Sequence, residues 1–247
     1  MIHVKSEKEI DLLREPCKIV RDTLAFVGSK IQAGMSTKEI DELVERYIRA
    51  SGAIPSCLGY GGFPASACVS VNETVVHGIP DDRILKEGDI VSVDLCAYKN
   101  GYHGDGARTF RVGTVSPEVD QLLRVTEECF FKGIEGLKAG TPLYDIGYRV
   151  QKHAEAFGYG VVRSYTGHGI GKEMHEDPSV PNFGRLGTGV RLKAGTVLCV
   201  EPMITMGSWR VNLLDDGWGA VTIDGKPAAH YENTLVVRED GVEILTL

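Results

Sequence analysis

The sequence predicts an α+β fold of two similar halves, in which helices cover an antiparallel sheet. Three observations predict it. Two helix-start signals of the same kind precede amphipathic segments near the N-terminus. A β-branched, apolar run over 90–98 is followed by Asn100-Gly101, a strong hairpin signal. An order of helices followed by strands then recurs about one hundred residues later.

Capping residues predict where the first two helices begin. A serine followed three residues later by glutamate can satisfy backbone N–H groups at a helix start. This capping box is formed by Ser6 with Glu9 and by Ser36 with Glu39. Apolar residues recur at helical spacing after each box, and Pro16 predicts a bend in the first helix. Glycine and aromatic residues over 57–68 then predict a loop.

A hairpin over residues 89–110 is the best-defined element of the sequence. A type I′ turn at Asn-Gly would place Asp105 opposite Cys96 and Asp94 opposite Ala107. The two aspartates would then emerge on one face as diagonal neighbours, about 7–8 Å apart. Two anions aimed at one point are costly unless a cation lies there. We therefore predict that both are metal ligands. The alternative is that Asp94 is a half-buried acid whose hydrogen bonds are satisfied within the protein and that Asp105 is a turn residue.

The second half repeats the first. We predict helices over 118–137 and 141–157 and strands over 196–200 and 229–237. Glycine and apolar positions of the second helix recur 106 residues later, and hairpin positions recur 107 residues later. The alternative is chance matching of glycines and valines, and the nearly constant offset argues against it.

The repeat spans roughly 33–112 and 139–238, and it makes Glu201 the equivalent of Asp94. This equivalence predicts one site on a pseudo-twofold axis. Five polar residues on predicted strands or their ends would form it: Asp94, Asp105, His168, Glu201 and Glu232. Four carboxylates and one imidazole could hold two divalent ions, and they suit Mn, Fe, Co or Zn without selecting among them. Each residue alone has a simpler structural explanation.

Composition excludes several classes of protein. The chain has 247 residues, 43% hydrophobic content and a formal net charge of -7, without a block of basic residues. This argues against nucleic-acid specificity. The N-terminus is too polar for a signal peptide, and no apolar run approaches the roughly 20 residues that span a bilayer. Six scattered cysteines without a Cys-x-x-Cys motif favour reduced thiols in a cytoplasmic protein.

These motifs resemble those of methionine aminopeptidases, type I, of the short bacterial class. The resemblance covers nearly the whole chain, and it implies a pita-bread fold in a single catalytic domain over residues 1–247. Its two pseudo-twofold-related halves would share an antiparallel sheet. Besides the two aspartates, the motifs are Asn72-Glu-x-x-x-His77-Gly-Ile-Pro, Gly167-His168-Gly-Ile-Gly, His175-Glu, Glu201-Pro-Met and Glu232-Asn-Thr.

The resemblance also implies residue roles. The five polar residues would hold a dinuclear centre, with Asp105 and Glu232 bridging. Glu201 would also shuttle the proton of the metal-bound water. His175 would donate to the scissile carbonyl and its oxyanion, and His77 would contact the peptide just past the scissile bond. A structural turn histidine is the alternative for His77.

A methionine pocket is the remaining implied site. A linear thioether needs a narrow apolar slot, and sulfur packs well on ring edges. Phe63 stands where tyrosine is common in the family, and Met174 where phenylalanine is common. Both stay apolar, which retains the substrate class but leaves pocket width and inhibitor selectivity open. The pocket maps onto Cys57, Tyr60, Phe63, Cys68, Met174 and Trp218.

The implied reaction is removal of the initiator methionine from a nascent polypeptide with a small second residue, by attack of a metal-bridged hydroxide. Two divalent ions (Co, Mn, Fe or Zn) would be the cofactors. The partner would be the nascent N-terminus, with transient ribosome contact, no membrane and a monomeric state. The alternatives are an Xaa-Pro dipeptidase-like metallopeptidase of the same fold and a non-catalytic peptide-binding module, which would have lost metal ligands.

Overall fold

A computed structural model describes residues 2–247. The helices are α1 (Glu7–Gly28), α2 (Thr37–Ala50), α3 (Pro117–Ile134) and α4 (Tyr144–Ala156), and a 3-10 turn covers Tyr60–Gly62. The strands of the first half are β1 (Ile54–Pro55), β2 (Cys68–Val71), β3 (Thr74–Val76), β4 (Ile90–Lys99) and β5 (Tyr102–Arg111). The later strands are β6 (Gly160–Val161), β7 (Gly167–Gly169), β8 (Glu176–Val180), β9 (Val197–Val200), β10 (Met203–Thr205), β11 (Val211–Leu213), β12 (Ala220–Thr222), β13 (Ala228–His230), β14 (Glu232–Val237) and β15 (Val242–Ile244).

One nine-stranded sheet connects the two halves of the chain. Its main path runs β1-β4-β5-β14-β9-β7-β8, with β2 beside β4 and β15 beside β14. Two three-stranded sheets, β13-β10-β6 and β11-β12-β3, complete the fold. All the pairings are antiparallel, and the contact between β5 and β14 joins the first half to the second. Every helix within residues 2–247 is too short or too polar to span a bilayer.

The local signals at both helix starts and at the central turn are confirmed. Ser6 and Ser36 each form a complete capping box with the glutamate three residues later. Pro16 lies inside α1. Asn100 and Gly101 have φ values of 56° and 84°, the positive angles that a type I′ turn requires.

Two predicted elements differ from the structure. The fourth helix begins at Tyr144, and Pro142 lies before it in an isolated β-bridge with Arg191. The strand predicted over 229–237 is broken at Tyr231 into β13 and β14, which belong to different sheets. Tyr231 is buried, and its ring contacts Phe130 at a centroid distance of 5.7 Å. Tertiary packing at this residue therefore carries the chain from one sheet to the other.

Helix α1 packs directly on the hairpin, at a point where β5 has no side chain. A Cβ atom on Gly104 would lie 2.5 Å from the backbone nitrogen of Cys17 and 2.7 Å from the carbonyl carbon of Pro16. Gly104 precedes Asp105, so this close approach also sets the position of a predicted metal ligand. One apolar cluster, around Val20 and Leu95, lies within the first half, and another, around Phe130 and Leu235, lies within the second. Further clusters contain buried residues from both halves.

We expect Gly104→Ala to lower the free energy of unfolding by about 1–3 kcal/mol, because the new methyl group would push against helix backbone. Urea denaturation measures this change. Gly241→Ala is the control, since nothing lies within 4 Å of a Cβ at that position. Its effect should stay within about 0.5 kcal/mol. Equal effects of the two substitutions would contradict the close approach of α1.

Candidate metal centre and substrate cavity

A cavity of about 350 Å³ opens on one face of the large sheet. Every residue that the sequence singled out as a site residue contributes to its wall. The lining consists of Cys57, Tyr60, Phe63, Cys68, Val76, His77, Asp94, Asp105, Ser164, Tyr165, Thr166, His168, Met174, His175, Glu201, Met203, Trp218 and Glu232. The geometry brings the predicted residues together, and their individual roles remain predictions.

Strand register explains why the carboxylates converge. Ala107 of β5 pairs with Asp94 of β4 on one side and with Glu232 of β14 on the other. These two acids therefore lie in one row across three strands, on the same face. Asp105 is two residues from Ala107 on the same strand, so its side chain points to that face as well. It pairs with Cys96, as the turn at Asn100-Gly101 predicted. Three acids thus meet because two antiparallel ladders share β5.

His168 and Glu201 approach from the second half. His168 lies on β7, and Glu201 directly follows β9. His168 Nε2 is 3.7 Å from Glu201 Oε1 and 3.8 Å from Asp105 Oδ2. His168 Nδ1 is 2.9 Å from the carbonyl oxygen of Gly169. Because a carbonyl only accepts, Nδ1 carries the proton in the neutral ring, and Nε2 directs its lone pair towards the carboxylates.

The charges in this cluster are unbalanced. Burial, together with repulsion from neighbouring acids, raises the pKa values of Asp105, Glu201 and Glu232 well above their usual range. Burial also raises the pKa of Asp94, and it lowers the pKa of His168 to about 3, so the imidazole is uncharged. No lysine or arginine from residues 2–247 lines the cavity.

A divalent metal ion fits this arrangement. One carboxylate oxygen, Glu232 Oε1, is buried without a hydrogen-bond partner. The unprotonated Nε2 of His168 faces carboxylate oxygens of Asp105 and Glu201. The nitrogen and the ionised oxygens are all hydrogen-bond acceptors, so they cannot bond to one another. Cations would satisfy all of these groups, and carboxylate and imidazole donors suit a divalent ion of the first transition row.

Cys199 is a member of the cluster that the sequence did not indicate. One ligand atom each from Asp105, His168, Cys199 and Glu232 lies within 4.8 Å of the others. Cys199 pairs with His168 across β7 and β9, which accounts for its proximity. Its sulfur lies 3.5 Å from the Thr234 hydroxyl, and the residue packs in an apolar cluster with α1 instead of lining the cavity. We therefore place its thiol behind the carboxylates.

Two further histidines border the cavity. His175 is exposed at the rim, with Nδ1 2.8 Å from the Tyr60 hydroxyl and its ring centroid 4.2 Å from that of His168. His77 has a φ of 59°, a left-handed conformation that is unusual for a residue with a side chain. Its ring meets Tyr165 edge-on at 5.2 Å. Such backbone strain is concentrated at functional sites, which favours a role for His77 over a plain turn residue.

The other end of the cavity is apolar. Phe63 and Trp218 form an edge-to-face pair with ring centroids 5.1 Å apart. Cys57, Cys68 and Met174 pack into the same buried cluster. One cavity therefore combines an anionic end with a sulfur- and ring-lined end.

Sequence reasoning missed several lining residues. Tyr165 and Thr166 stand shortly before His168, and Met203 is separated from Glu201 by a single proline. Their proximity to motif residues was the only available signal. Nothing local distinguished them from ordinary loop or strand residues, because their contact with the cavity depends on how the two halves pack.

Comparison with known proteins identifies the family. The model of metallopeptidase family M24 matches residues 11–239. The chain belongs to metallopeptidase family M24. It is therefore a metal-dependent peptide hydrolase, and the predicted pita-bread fold is confirmed.

Members of family M24 are similar over the full chain. A Clostridium perfringens protein named methionine aminopeptidase is 53% identical over 247 residues, covering 100% of this chain and 99% of its own. The crystal structure of methionine aminopeptidase from Rickettsia prowazekii has a TM-score of 0.99 at 42% identity and covers 100% of both chains. The prolidase from Pyrococcus furiosus has a TM-score of 0.80 at 22% identity, with 99% of this chain and 65% of that chain covered. That last likeness shows a common fold only.

Divalent metal should stabilise this protein through the acidic cluster. A ligand at 100 times its Kd adds about 2.7 kcal/mol to the free energy of unfolding. Asp105→Asn should lose most of this gain, because one charged ligand is removed. Thermal unfolding with Mn²⁺ or EDTA measures it. The control, Asp240→Asn, changes an exposed acid and should keep the full gain. Equal gains in both variants would argue against a metal site at Asp105.

Proposed function

We propose that the chain removes N-terminal methionine from polypeptides whose second residue is small. One observation carries this proposal: an acidic cluster shares a cavity with an apolar pocket lined by sulfur atoms and aromatic rings, and no lysine or arginine from residues 2–247 lines that cavity. Relatives that bear the name methionine aminopeptidase support it at 42% and 53% identity over the full chain. A cytoplasmic location and a single catalytic domain over residues 1–247 are part of the proposal.

The metal centre proposed here has two divalent ions. Asp94, His168 and Glu201 would be ligands, and Asp105 and Glu232 would be shared between the ions. Four carboxylates offset the 4+ charge of such a pair. When bound, the ions would polarise the scissile carbonyl and make water a stronger nucleophile. Co, Mn, Fe and Zn all suit this donor set.

Glu201 is the proposed proton carrier. Its carboxylate lies between two imidazoles, with Oε1 3.7 Å from His168 Nε2 and Oε2 3.6 Å from His230 Nε2. Such a group can accept the proton of the attacking water and return it to the leaving amine.

His175 is the proposed donor to the scissile carbonyl. When the Tyr60 hydroxyl donates to Nδ1, the neutral ring carries its proton on Nε2. That proton is then available for an oxygen that becomes negative as the carbonyl is attacked. His77 would contact the peptide beyond the scissile bond, and its ring lies edge-on to that of Tyr165 in the cavity wall.

The apolar end of the cavity would hold the methionine side chain. A thioether is flexible and polarisable, so it packs well against ring edges and other sulfur atoms. Phe63 and Trp218 would form its ring walls, with Met174 and the thiols of Cys57 and Cys68 around them. Tyr60 would lie at the entrance, where its ring is 5.2 Å from that of His175.

The two alternative functions are less well supported. Likeness to the prolidase is limited to the fold, since it is 22% identical and 65% of its chain is covered, whereas the Rickettsia prowazekii methionine aminopeptidase is 42% identical and fully covered. A non-catalytic peptide-binding module has no need for four buried carboxylates in one cavity. For partners, we propose the nascent N-terminus, a transient contact with the ribosome and a monomeric state.

Purified protein with Mn²⁺ should release methionine from Met-Ala-Ser much faster than from Met-Lys-Ser, because only a small second residue is expected to fit. Free methionine, measured by chromatography, gives both rates. The dipeptide Met-Pro tests the Xaa-Pro alternative. Release from Met-Pro alone would favour that alternative, and release from none of the three peptides would contradict the proposal.

His175→Ala should lower kcat for Met-Ala-Ser by roughly 10²–10³-fold, the usual cost of removing one donor to an oxyanion. Steady-state kinetics measures it. His153→Ala is a matched control, since His153 lies on α4 and does not line the cavity. Its kcat should equal that of the wild type. Wild-type kcat in His175→Ala would remove His175 from the mechanism.

A further inference from the structure

Lys5 is a buried lysine outside the cavity. Its side chain is only 2% exposed, and Nζ lies 2.5 Å from Glu176 Oε2 and 3.3 Å from the carbonyl oxygen of His3. The Lys5 backbone N–H also donates to the carbonyl oxygen of Gly195, just before β9. The segment before α1 is thus fixed both to the large sheet and to Glu176.

Glu176 closes the loop that carries two of the proposed substrate contacts. Residues 170–175 join β7 to β8, and this loop contains Met174 and His175. Glu176 is the next residue and the first of β8. Its second oxygen, Oε1, accepts the backbone N–H of Glu173 at 3.3 Å. One carboxylate therefore bonds the loop on one side and the Lys5 ammonium on the other.

The ion pair fills the space beneath this loop. A Cβ atom on Gly171 would lie 2.5 Å from Glu176 Oε1 and 2.7 Å from Lys5 Cε. The carbonyl oxygen of Gly171 accepts the backbone N–H of His103 at 2.8 Å, which ties the loop to the central hairpin. The start of the loop is thus packed between β5 and the Lys5 side chain, and its end is bonded through Glu176.

Stability alone is a poor explanation for this pair. The cost of removing two charges from water can exceed their attraction, so a buried salt bridge is weak evidence for stability. The N-terminal helix already has other attachments, because Arg14 binds Glu243 and Arg238 binds Glu7. The distinguishing property of the Lys5–Glu176 pair is its location, one residue from His175.

We propose that Lys5 is a positioning residue for the reaction. Through Glu176 it fixes the 170–175 loop, so that His175 is directed at the scissile carbonyl. Lys5 touches no substrate and acts through its neighbour. This inference rests on the proposed function, because it assigns His175 the role described above.

Lys5→Met keeps most of the side-chain stem and removes the ammonium. Its kcat for Met-Ala-Ser should fall roughly 10- to 100-fold, since a misplacement near 1 Å has such an effect on rate. Lys5→Arg should recover most of the loss. Arg238→Met, which removes partly exposed ion pairs with Glu7 and Glu243, should keep the wild-type kcat. Wild-type kcat in folded Lys5→Met would overturn the proposal.

A double variant separates positioning from a general structural effect. In the His175→Ala background, Lys5→Met should change kcat less than twofold, because the residue through which it acts is already absent. The same 10- to 100-fold loss in both backgrounds would overturn the proposal.

Amide hydrogen exchange tests the anchoring without any activity. Lys5→Met should accelerate exchange over residues 170–176 relative to the wild type and to Arg238→Met, and Glu176→Gln is a second variant with the same expected effect. Unchanged exchange in both variants would overturn the proposal. If the wild type released no methionine, the proposed function would fail, and the exchange result would still decide whether Lys5 anchors the loop.

Discussion

The structure depends on the crowding of four carboxylates on one face of a shared sheet. Asp94, Asp105 and Glu232 meet because β5 pairs with both β4 and β14, and Glu201 enters from the end of β9. Like charges in a buried cavity repel, and no basic side chain from residues 2–247 lines it. Bound cations would reverse that balance. The fold, the metal requirement of family M24 and the chemistry of the site are thus linked by one electrostatic constraint.

The rest of the cavity is arranged around that constraint. Its apolar end contains aromatic rings and sulfur atoms. A substrate side chain would be selected there by how well its shape fits and not by its charge. The rim contains His175, on a loop that is bonded to Glu176, and Glu176 is in turn paired with the buried Lys5. His77 adopts a left-handed backbone conformation beside the same cavity. The prolidase from Pyrococcus furiosus shares the fold at 22% identity, and a fold by itself does not specify a substrate.

Much of the first half could be predicted because its signals are local. Capping boxes at Ser6 and Ser36 involve residues three positions apart, and the turn at Asn100-Gly101 sets the register of both flanking strands. That register placed Asp94 and Asp105 on one face without any tertiary information. The second half was harder. The break at Tyr231 lies within the 229–237 stretch that predicted a single strand, and Tyr231 packs against Phe130, which is distant in sequence.

The sequence by itself determined the first two helix starts, the hairpin register and the chemical types of the donor groups, since these follow from short-range backbone geometry and from residue identity. Only the tertiary structure decided which groups of elements distant along the chain face one another. The proximity of Cys199 to His168, the contact of His230 with Glu201 and the burial of Lys5 against Glu176 all join residues from separate elements. Such contacts depend on how two halves pack across one sheet, and no periodicity or spacing along the chain records that packing.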